Sequence, residues 1–308
     1  MEKNFFVPAY LQLPPGIFLD KIEEAFSILK ECSLCPRECR VDRTSGEKGF
    51  CKTGVKPFIS SYGAHFGEEK PLVGNFGSGT IFMGNCNLGC IFCQNYSISH
   101  LGEGVETTFE RVAEIMIELQ NQGCHNINLV TPTHQMPMLL KSIKIASENG
   151  LRVPVVYNCG GYESLQAIQI LEGIIDIYMP DFKFWDSEMA KKYSKAENYP
   201  ENAKIILKEM HRQVGDLITN KYGIALRGLL VRHLVLPERI AGTENIVNFI
   251  ANEISRNTYI NIMDQYHPCF KAFEHPPLNR RITKNEYAEA IDFAIKAGLK
   301  RIDGVTTI

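Results

Sequence analysis

Short apolar runs, rich in β-branched residues, alternate with helix-period stretches along most of the chain. Such runs predict buried strands, and their alternation with helices predicts repeated βα units and a parallel sheet. The predicted strands are GTIFMG (79–84), NINLV (126–130), RVPVVY (152–157), IIDIYM (174–179), LLVRHLVL (229–236) and YINIMDQY (259–266). The pattern does not decide between an open and a closed sheet, but six strands are too few for an eight-fold barrel.

The stretches between the strands carry helix start and stop signals. The predicted helices are TTFERVAEIMIELQNQG, PMLLKSIKIASENG, SEMAKKYSK, ENAKIILKEMHRQVGD, GTENIVNFIANEI and TKNEYAEAIDFAIKAG. Threonine is placed to cap the first, fifth and sixth of them. Before residue 75 the pattern differs, with a helix-like FLDKIEEAFSILKEC followed by a loop-rich, cysteine-containing stretch. We therefore expect an N-terminal extension over residues 1–75, packed against a main domain over residues 76–308.

Composition narrows the class of protein. The formal net charge of the 308 residues is −2 and no long basic run occurs, so nucleic-acid binding is not indicated. Charges and prolines interrupt the apolar N-terminus, which lacks a signal-peptide pattern, and no apolar run is long enough to span a membrane. We therefore predict a cytoplasmic protein without a membrane partner. In a reducing compartment its ten cysteines are expected to be metal ligands or reactive thiols.

Three of these cysteines lie in one short loop, GNCNLGCIFCQN, directly after the first predicted strand. Cys86, Cys90 and Cys93 are spaced CxxxCxxC. A structural zinc site needs four ligands, and His100 is the only histidine nearby. A cubane iron–sulfur cluster can be held by three thiolates, with one iron left open for a substrate or cofactor. The spacing therefore favours a [4Fe–4S] cluster on these three cysteines.

This loop, with Phe92 before the last cysteine and a six-fold βα series after it, resembles that of the radical S-adenosylmethionine (SAM) superfamily. The longer stretch GSGTIFMGNCNLGCIFCQN is most similar to the pyruvate formate-lyase activating enzyme group. The resemblance implies a partial (β/α)6 barrel of the TIM type. It also implies that the amino and carboxylate groups of SAM chelate the open iron, and that reductive cleavage yields a 5′-deoxyadenosyl radical that abstracts hydrogen.

The resemblance extends over about residues 76 to 270 and also implies where SAM binds. The implied SAM-binding residues are Phe92, Asn95, Thr131, Thr133, His134, Asn158, Asp181, Lys183, Arg232 and His267. Two positions depart from the family pattern. VTPTHQ stands where the family has a Gly-Gly-Glu turn, and a helix-capping turn is the alternative there. Asn158 and Cys159 stand where the family has Asp-Thr. For Asp181 and Lys183 the alternative to a binding site is a plain salt bridge.

A second cysteine group lies in the extension. Cys32, Cys35, Cys39 and Cys51 are compactly spaced in CSLCPRECRVDRTSGEKGFC, with glycines at the turns. Four thiolates can hold a zinc ion, or equally a second iron–sulfur cluster acting as an electron relay. The spacing favours a metal site over free thiols but does not distinguish the two metals.

By resemblance, the substrate is a glycine of a glycyl-radical enzyme, and a low-potential protein such as flavodoxin or ferredoxin donates the electron. Modification of another peptide or of a small molecule is the alternative with the same chemistry. An iron–sulfur or zinc scaffold protein without catalysis is the alternative from another class. The polar and aromatic segment FKAFEHPPLNRRIT (270–283) is either a lid that faces the substrate or a solvated connection.

Overall fold

The computed structural model describes residues 6–305. Its strands are β1 (Phe58–His65), β2 (Ser78–Met83), β3 (Val105–Glu106), β4 (Ile127–Val130), β5 (Val155–Cys159), β6 (Ile177–Pro180), β7 (Ile218–Thr219), β8 (Ala225–Leu234), β9 (Tyr259–Met263) and β10 (Arg301–Ile302). Its α-helices are α1 (Pro15–Ser27), α2 (Lys70–Val73), α3 (Tyr96–Ser99), α4 (Phe109–Asn121), α5 (Met136–Glu148), α6 (Leu165–Ile170), α7 (Ser187–Ser194), α8 (Tyr199–Val214), α9 (Thr243–Phe249) and α10 (Lys284–Ala297). Short 3₁₀ segments and one π-helical segment, Ile250–Ile254, complete the regular structure.

All six predicted strands are present, and they lie side by side in chain order. The order across the sheet is β10-β9-β8-β6-β5-β4-β2-β1-β3. Every pair from β2 to β10 along this path is parallel, whereas β1 runs antiparallel to β2 and β3. The sheet is not closed, so the fold is a partial α/β barrel, as the resemblance implied.

Three features of the chain ends and short strands were not predicted. β1 comes from the segment before residue 76, so the sheet continues across the predicted domain boundary. β3 and β10 are each two residues long, and they form the two opposite edges of the sheet. β7 adds an antiparallel pairing to β8.

The predicted helices are present, with one error in capping. The side chain of Thr108 caps α4, and Thr283 forms a reciprocal capping box with Glu286 on α10. Thr243 was predicted to cap α9, and this was wrong. Gly242 is the cap residue, and the Thr243 hydroxyl is 2.8 Å from Nε2 of the buried His233. A buried ring nitrogen needs a hydrogen-bond partner, and the Thr243 hydroxyl fills that need instead of capping the helix.

Residues near the N-terminus pack against the sheet domain. Phe18 and Ile22 of α1 belong to the main hydrophobic core. The backbone N–H of Ala9 donates to Oδ1 of Asp176 at 2.8 Å, and that of Val155 donates to Oδ2 at 3.0 Å. One buried carboxylate therefore ties the extension to the start of β5.

A second, smaller apolar cluster forms the floor beneath the carboxyl end of the strands. Leu72 of α2 packs there with Val156, Ile177 and Leu230. Side chains two residues apart on a strand share a face, so residues further along these strands project above this floor. Leu72 thus anchors α2 to the same face of the sheet.

Candidate functional site

An open cavity with an empty volume of about 1150 Å³ lies at the carboxyl ends of the parallel strands, where ligands bind in such folds. The sulfur-bearing loop after β2 forms one side of it. The predicted site residues that line it are Cys86, Phe92, Cys90, Cys93, Asn95, Thr131, Asn158, Asp181, Lys183 and Arg232. The structure therefore brings ten of the thirteen residues predicted for the cluster and SAM to one cavity.

Backbone and hydroxyl groups hold the three sulfur atoms in place. The N–H of Leu88 donates to Cys86 Sγ at 3.3 Å. Cys90 Sγ lies 3.0 Å from the Ser194 hydroxyl, and Cys93 Sγ lies 3.1 Å from the Ser99 hydroxyl. Such contacts to ligand sulfurs are the means by which a protein tunes an iron–sulfur cluster.

The end of α7 fixes the backbone of this loop. The N–H of Gly89 donates to the Ser194 carbonyl at 3.0 Å, and that of Ile91 donates to the Tyr193 carbonyl at 2.9 Å. A Cβ at Gly89 would lie 2.9 Å from the Lys195 side chain, so glycine allows the close approach. Phe92 is buried and makes edge contacts with Phe184 and Tyr266.

The donor set of this loop fits an iron–sulfur cluster. Burial raises the pKa of the Cys86 and Cys90 thiols above their ordinary value. Buried thiols of this kind ionise when a metal supplies positive charge. The three thiols line the same cavity as the charged side chains of Asp181, Lys183 and Arg232.

A network of charged and amide side chains faces the sulfur loop. Arg232 Nε donates to Asp181 Oδ1 at 2.9 Å, and its Nη2 donates to Asn158 Oδ1 at 2.7 Å. The ammonium of Lys183 pairs with the other oxygen of Asp181. These four side chains come from the carboxyl ends of β5, β6 and β8, which are neighbours in the sheet.

The network keeps its charges although it is partly buried. Burial disfavours the ionised Asp181 carboxyl, but Arg232 and Lys183 outweigh this effect and lower its pKa. Burial likewise disfavours the Lys183 ammonium, but Asp181 and Cys90 raise its pKa. A salt bridge within this network was the alternative to a binding site, and the structure shows the salt bridge and the cavity together. The two roles are compatible.

Two acidic residues beneath this network were not predicted. Glu68 Oε2 lies 3.7 Å from Arg232 Nη1, and Asn261 Nδ2 donates to Glu69 Oε1 at 3.0 Å. Both side chains are buried. In the sequence GEEKP they are indistinguishable from a solvated turn, because the partners that bury them come from strands about 160 to 190 residues later.

Thr131 lies in the cavity with an unusual backbone. Its φ is +59°, in the left-handed region that β-branched residues rarely adopt. Its N–H donates to the Asn158 carbonyl at 2.8 Å, which ties the turn after β4 to β5. Strained backbone of this kind concentrates at functional sites.

Thr133 and His134 are not among the residues that line this cavity. Both are buried. The Thr133 hydroxyl donates to Glu163 Oε1 at 2.9 Å, and His134 Nε2 lies 2.8 Å from the Gly84 carbonyl. His134 lines the cavity of the second cysteine group instead. Burial lowers the pKa of His134 to about 4, so its ring is neutral near pH 7.

His267 is at the rim of the cavity and does not line it. Its Nδ1 is 3.3 Å from Nε2 of Gln94 and 3.2 Å from the carbonyl of Gln265, and both of those residues do line the cavity. His267 therefore contacts residues that line the cavity but does not line it itself.

Glu163 is a buried carboxyl that the sequence reasoning missed. Besides Thr133, it accepts a hydrogen bond from the Tyr157 hydroxyl at 3.3 Å. Burial raises its pKa to about 7. Cys159, which lines the cavity, is adjacent to it and also contributes to this network. The only signal was its position in the turn after a predicted strand.

The second cysteine group also surrounds a single cavity. Cys32, Cys35, Cys39 and Cys51 all line a space with an empty volume of about 350 Å³. The N–H of Phe50 donates to Cys39 Sγ at 3.4 Å. Over residues 6–305, no three His, Cys, Asp or Glu side chains form a group close enough to hold a single metal ion.

Comparisons with known proteins indicate the family of this chain. The family model described as the radical SAM superfamily matches residues 80–225, which include the sulfur loop. An uncharacterized protein of Methanocaldococcus jannaschii, MJ0674, is 33% identical over 298 residues, covering 94% of this chain and 81% of that protein. A second from the same organism, MJ0808, is 27% identical over 292 residues, covering 88% and 79%.

One solved structure shows the same fold. The crystal structure of HydG, a maturase of the [FeFe]-hydrogenase, superposes with a TM-score of 0.50 at 11% identity. The match covers 95% of this chain but 63% of that chain, so this chain spans less than two thirds of the maturase. At this identity the likeness concerns the fold alone.

A partial α/β barrel with a three-thiolate iron–sulfur loop at the carboxyl end of its strands defines the class of protein. The chain belongs to the radical SAM superfamily, and it is an enzyme of that superfamily. Membership implies a [4Fe–4S] cluster, for which Cys86, Cys90 and Cys93 are the fitting ligands, and SAM. When bound, the reduced cluster and SAM together supply the radical that abstracts hydrogen. The described residues include no helix long and apolar enough to cross a membrane.

Proposed function

We propose that this enzyme binds SAM between the sulfur loop and the Asp181–Arg232 network, and abstracts hydrogen from a glycine of a partner protein. The observation that supports the SAM site most strongly is that three thiols and a partly buried carboxylate–ammonium–guanidinium network line one cavity. Asp181 and Asn158 offer oxygen acceptors to an ammonium group, while Lys183 and Arg232 offer donors to a carboxylate. Both halves of the amino-acid end of SAM thus have partners.

The rim of the cavity supports a polypeptide substrate. Phe270 stacks on Tyr96 with ring centroids 5.3 Å apart, and the N–H of Lys271 donates to the Ile91 carbonyl at 2.9 Å. Phe273, two residues further on, is 64% exposed. Exposed aromatic side chains beside an open cavity are typical of surfaces that bind proteins. The segment from 270 onward therefore packs on the sulfur loop and would contact a partner chain.

Deuterium transfer tests this substrate class. A glycyl-radical enzyme labelled with [2-²H]glycine is incubated anaerobically with the reduced protein and SAM, and the 5′-deoxyadenosine formed is analysed by mass spectrometry. Deuterium in 5′-deoxyadenosine is the expected result. Cleavage of SAM without deuterium transfer, with the substrate protein shown to bind, would contradict the glycine assignment. The same protein with unlabelled glycine is the control.

An acidic electron donor such as flavodoxin or ferredoxin fits the surface next to the sulfur loop. His100 Nε2 is 3.0 Å from the Cys90 carbonyl. Burial lowers the pKa of this ring, and the nearby charges of Lys195, Lys271 and Lys52 lower it further. Like-signed lysines at such a place would steer an acidic protein towards the cluster. The rate of reduction by flavodoxin should fall as salt rises, and a salt-independent rate would contradict this docking.

All ten cysteines are free thiols, which suits a reducing compartment such as the cytoplasm.

The four cysteines of the extension form a second metal centre in this proposal. Their common cavity supports it, as does Gly49, where a Cβ would lie 2.7 Å from both Cβ and Sγ of Cys39. Glycine at this position leaves room for the Cys39 thiol beside the cavity. Metal analysis of the purified protein and of a Cys35→Ser variant tests whether these thiols bind metal.

A further inference from the structure

Asn87 connects the two cysteine groups. It is the residue after Cys86, it is buried, and it lines the cavity of the four N-terminal cysteines. Cys35 lines the same cavity. Oδ1 of the Asn87 side chain lies 4.0 Å from Cys86 Sγ. One buried side chain therefore lies against both cysteine groups.

The position of this amide is fixed on both sides. Asn87 Nδ2 donates to the Tyr162 carbonyl at 2.7 Å, and its own carbonyl accepts from Arg37 Nε at 2.9 Å. The Arg37 guanidinium lies 3.7 Å above the centre of the Phe50 ring, beside Cys51. Arg37 of the extension is thus hydrogen-bonded to the sulfur loop at the Asn87 carbonyl.

We propose that Cys32, Cys35, Cys39 and Cys51 hold an iron–sulfur cluster that passes electrons to the cluster on Cys86, Cys90 and Cys93 through Asn87. This inference rests on the second metal centre proposed above and names its role. A low-potential one-electron donor reduces the N-terminal cluster and is itself oxidised. The electron then moves to the second cluster, and the N-terminal cluster returns to its oxidised form. No bond is formed or broken in this transfer.

The position of this site beside the sulfur loop favours iron–sulfur over zinc. Asn87 lines the cavity of the four thiols and lies against Cys86, so a metal bound there adjoins the cluster on the sulfur loop. Zinc has no redox chemistry and could pass no electron across this contact. A four-cysteine iron–sulfur cluster could.

The test compares three variants with the wild type after anaerobic purification. Iron, sulfide and zinc are determined, and the dithionite-reduced proteins are examined by electron paramagnetic resonance. Cys35→Ser with Cys51→Ser removes two thiols of the N-terminal site, and Asn87→Ala removes the bridging amide. Cys124→Ala is the matched control, because Cys124 is buried and lines neither cavity. The rate at which reduced flavodoxin reduces the clusters is then followed by stopped-flow absorbance.

Wild type and Cys124→Ala are expected to contain about eight irons and negligible zinc, and the double cysteine variant about four. Asn87→Ala should keep about eight irons, while transfer from the N-terminal cluster to the other slows roughly tenfold or more. About four irons with one zinc in the wild type would overturn the inference. So would an Asn87→Ala variant that transfers electrons as fast as wild type. None of these readouts needs a glycine substrate, so failure here is distinct from failure of the proposed reaction.

Discussion

Arg232 and Asp181 join two neighbouring strands in the wall of the cavity, with 2.9 Å between Arg232 Nε and Asp181 Oδ1. The pair is partly buried, and Lys183 and Asn158 complete its hydrogen bonding. These contacts fix the orientation of each side chain. This relationship places a guanidinium and a carboxylate at fixed points opposite the sulfur loop.

Asp181→Asn should weaken SAM binding while the cluster is retained. The amide keeps the shape of the carboxyl but loses its charge, and a hydrogen bond to a charged group contributes about 1.5–3 kcal/mol, or roughly 10–100-fold in affinity. Anaerobic equilibrium dialysis with labelled SAM measures the change. Glu289→Gln, which alters an ion pair with the exposed Arg239 on the protein surface, is the control. Equal SAM affinity in Asp181→Asn and wild type would remove Asp181 from the binding site.

Gly161→Ala should destabilise the protein much more than Gly160→Ala. Gly161 has a φ of +76°, and a Cβ there would lie 2.2 Å from the Asp181 carbonyl oxygen, which is backbone and cannot move aside. At Gly160 the nearest atom is Cδ1 of Leu88 at 2.8 Å, the end of a flexible side chain. Left-handed strain alone costs about 1–2 kcal/mol, and the clash adds to it. Thermal unfolding midpoints measure both variants, and equal midpoints would show that this turn tolerates a side chain.

Stability should respond differently to glycine at the two threonines of the turn after β4. Thr131→Gly relieves a left-handed strain of about 1–2 kcal/mol and loses about 1 kcal/mol to chain entropy, so stability should change little. Thr133→Gly removes a buried hydrogen bond to Glu163, which should cost about 1–3 kcal/mol. Chemical unfolding of the two variants separates these cases. A larger loss for Thr131→Gly than for Thr133→Gly would refute the assignment of strain.

Asp176 should make stability depend on pH. Burial raises its pKa to about 7, although two backbone N–H groups partly oppose the shift. Between about pH 4 and pH 7 the folded protein keeps a proton that the unfolded chain releases, so this group's contribution to folding is present at low pH and is lost as pH rises. Asp176→Asn has no such proton. The stability of wild type relative to this variant should therefore fall as pH is raised.

Unfolding midpoints from pH 5 to pH 7.5 measure this difference. Asp292→Asn is the control, because Asp292 is largely exposed and pairs with Lys296 on the outer face of α10. Its difference from wild type should change little over the same range. A constant difference between wild type and Asp176→Asn would show that the carboxyl is already ionised at the lower pH.

The main sheet could be predicted because its strands are buried on both faces, which leaves continuous apolar runs in the sequence. β1 was missed for the opposite reason. In FISSYGAH most side chains are polar or small and only Ile59 is fully buried, so the run carries no buried-strand signal. Its pairing with β2 depends on a contact between segments that the local pattern does not encode.

The site could be predicted where a residue type and its place in the βα series agree, as for the three cysteines and for Asp181. Glu163, Glu68 and Asn87 were not predicted, because each acquires its role from a partner distant in sequence. Asn87 is an ordinary loop residue until the fold places it in the wall of the cavity that Cys35 lines. His134 likewise depends on contacts distant in sequence. The fold places it beside the N-terminal cysteines and not in the larger cavity.

The central claim is that Cys86, Cys90 and Cys93 hold the cluster that cleaves SAM. The most direct measurement is formation of 5′-deoxyadenosine from SAM after dithionite reduction, in wild type, Cys90→Ala and Cys124→Ala. We expect the product from wild type and Cys124→Ala, and none from Cys90→Ala, together with a loss of about four irons in that variant. An intact, reducible cluster in the wild type that never cleaves SAM would contradict the account.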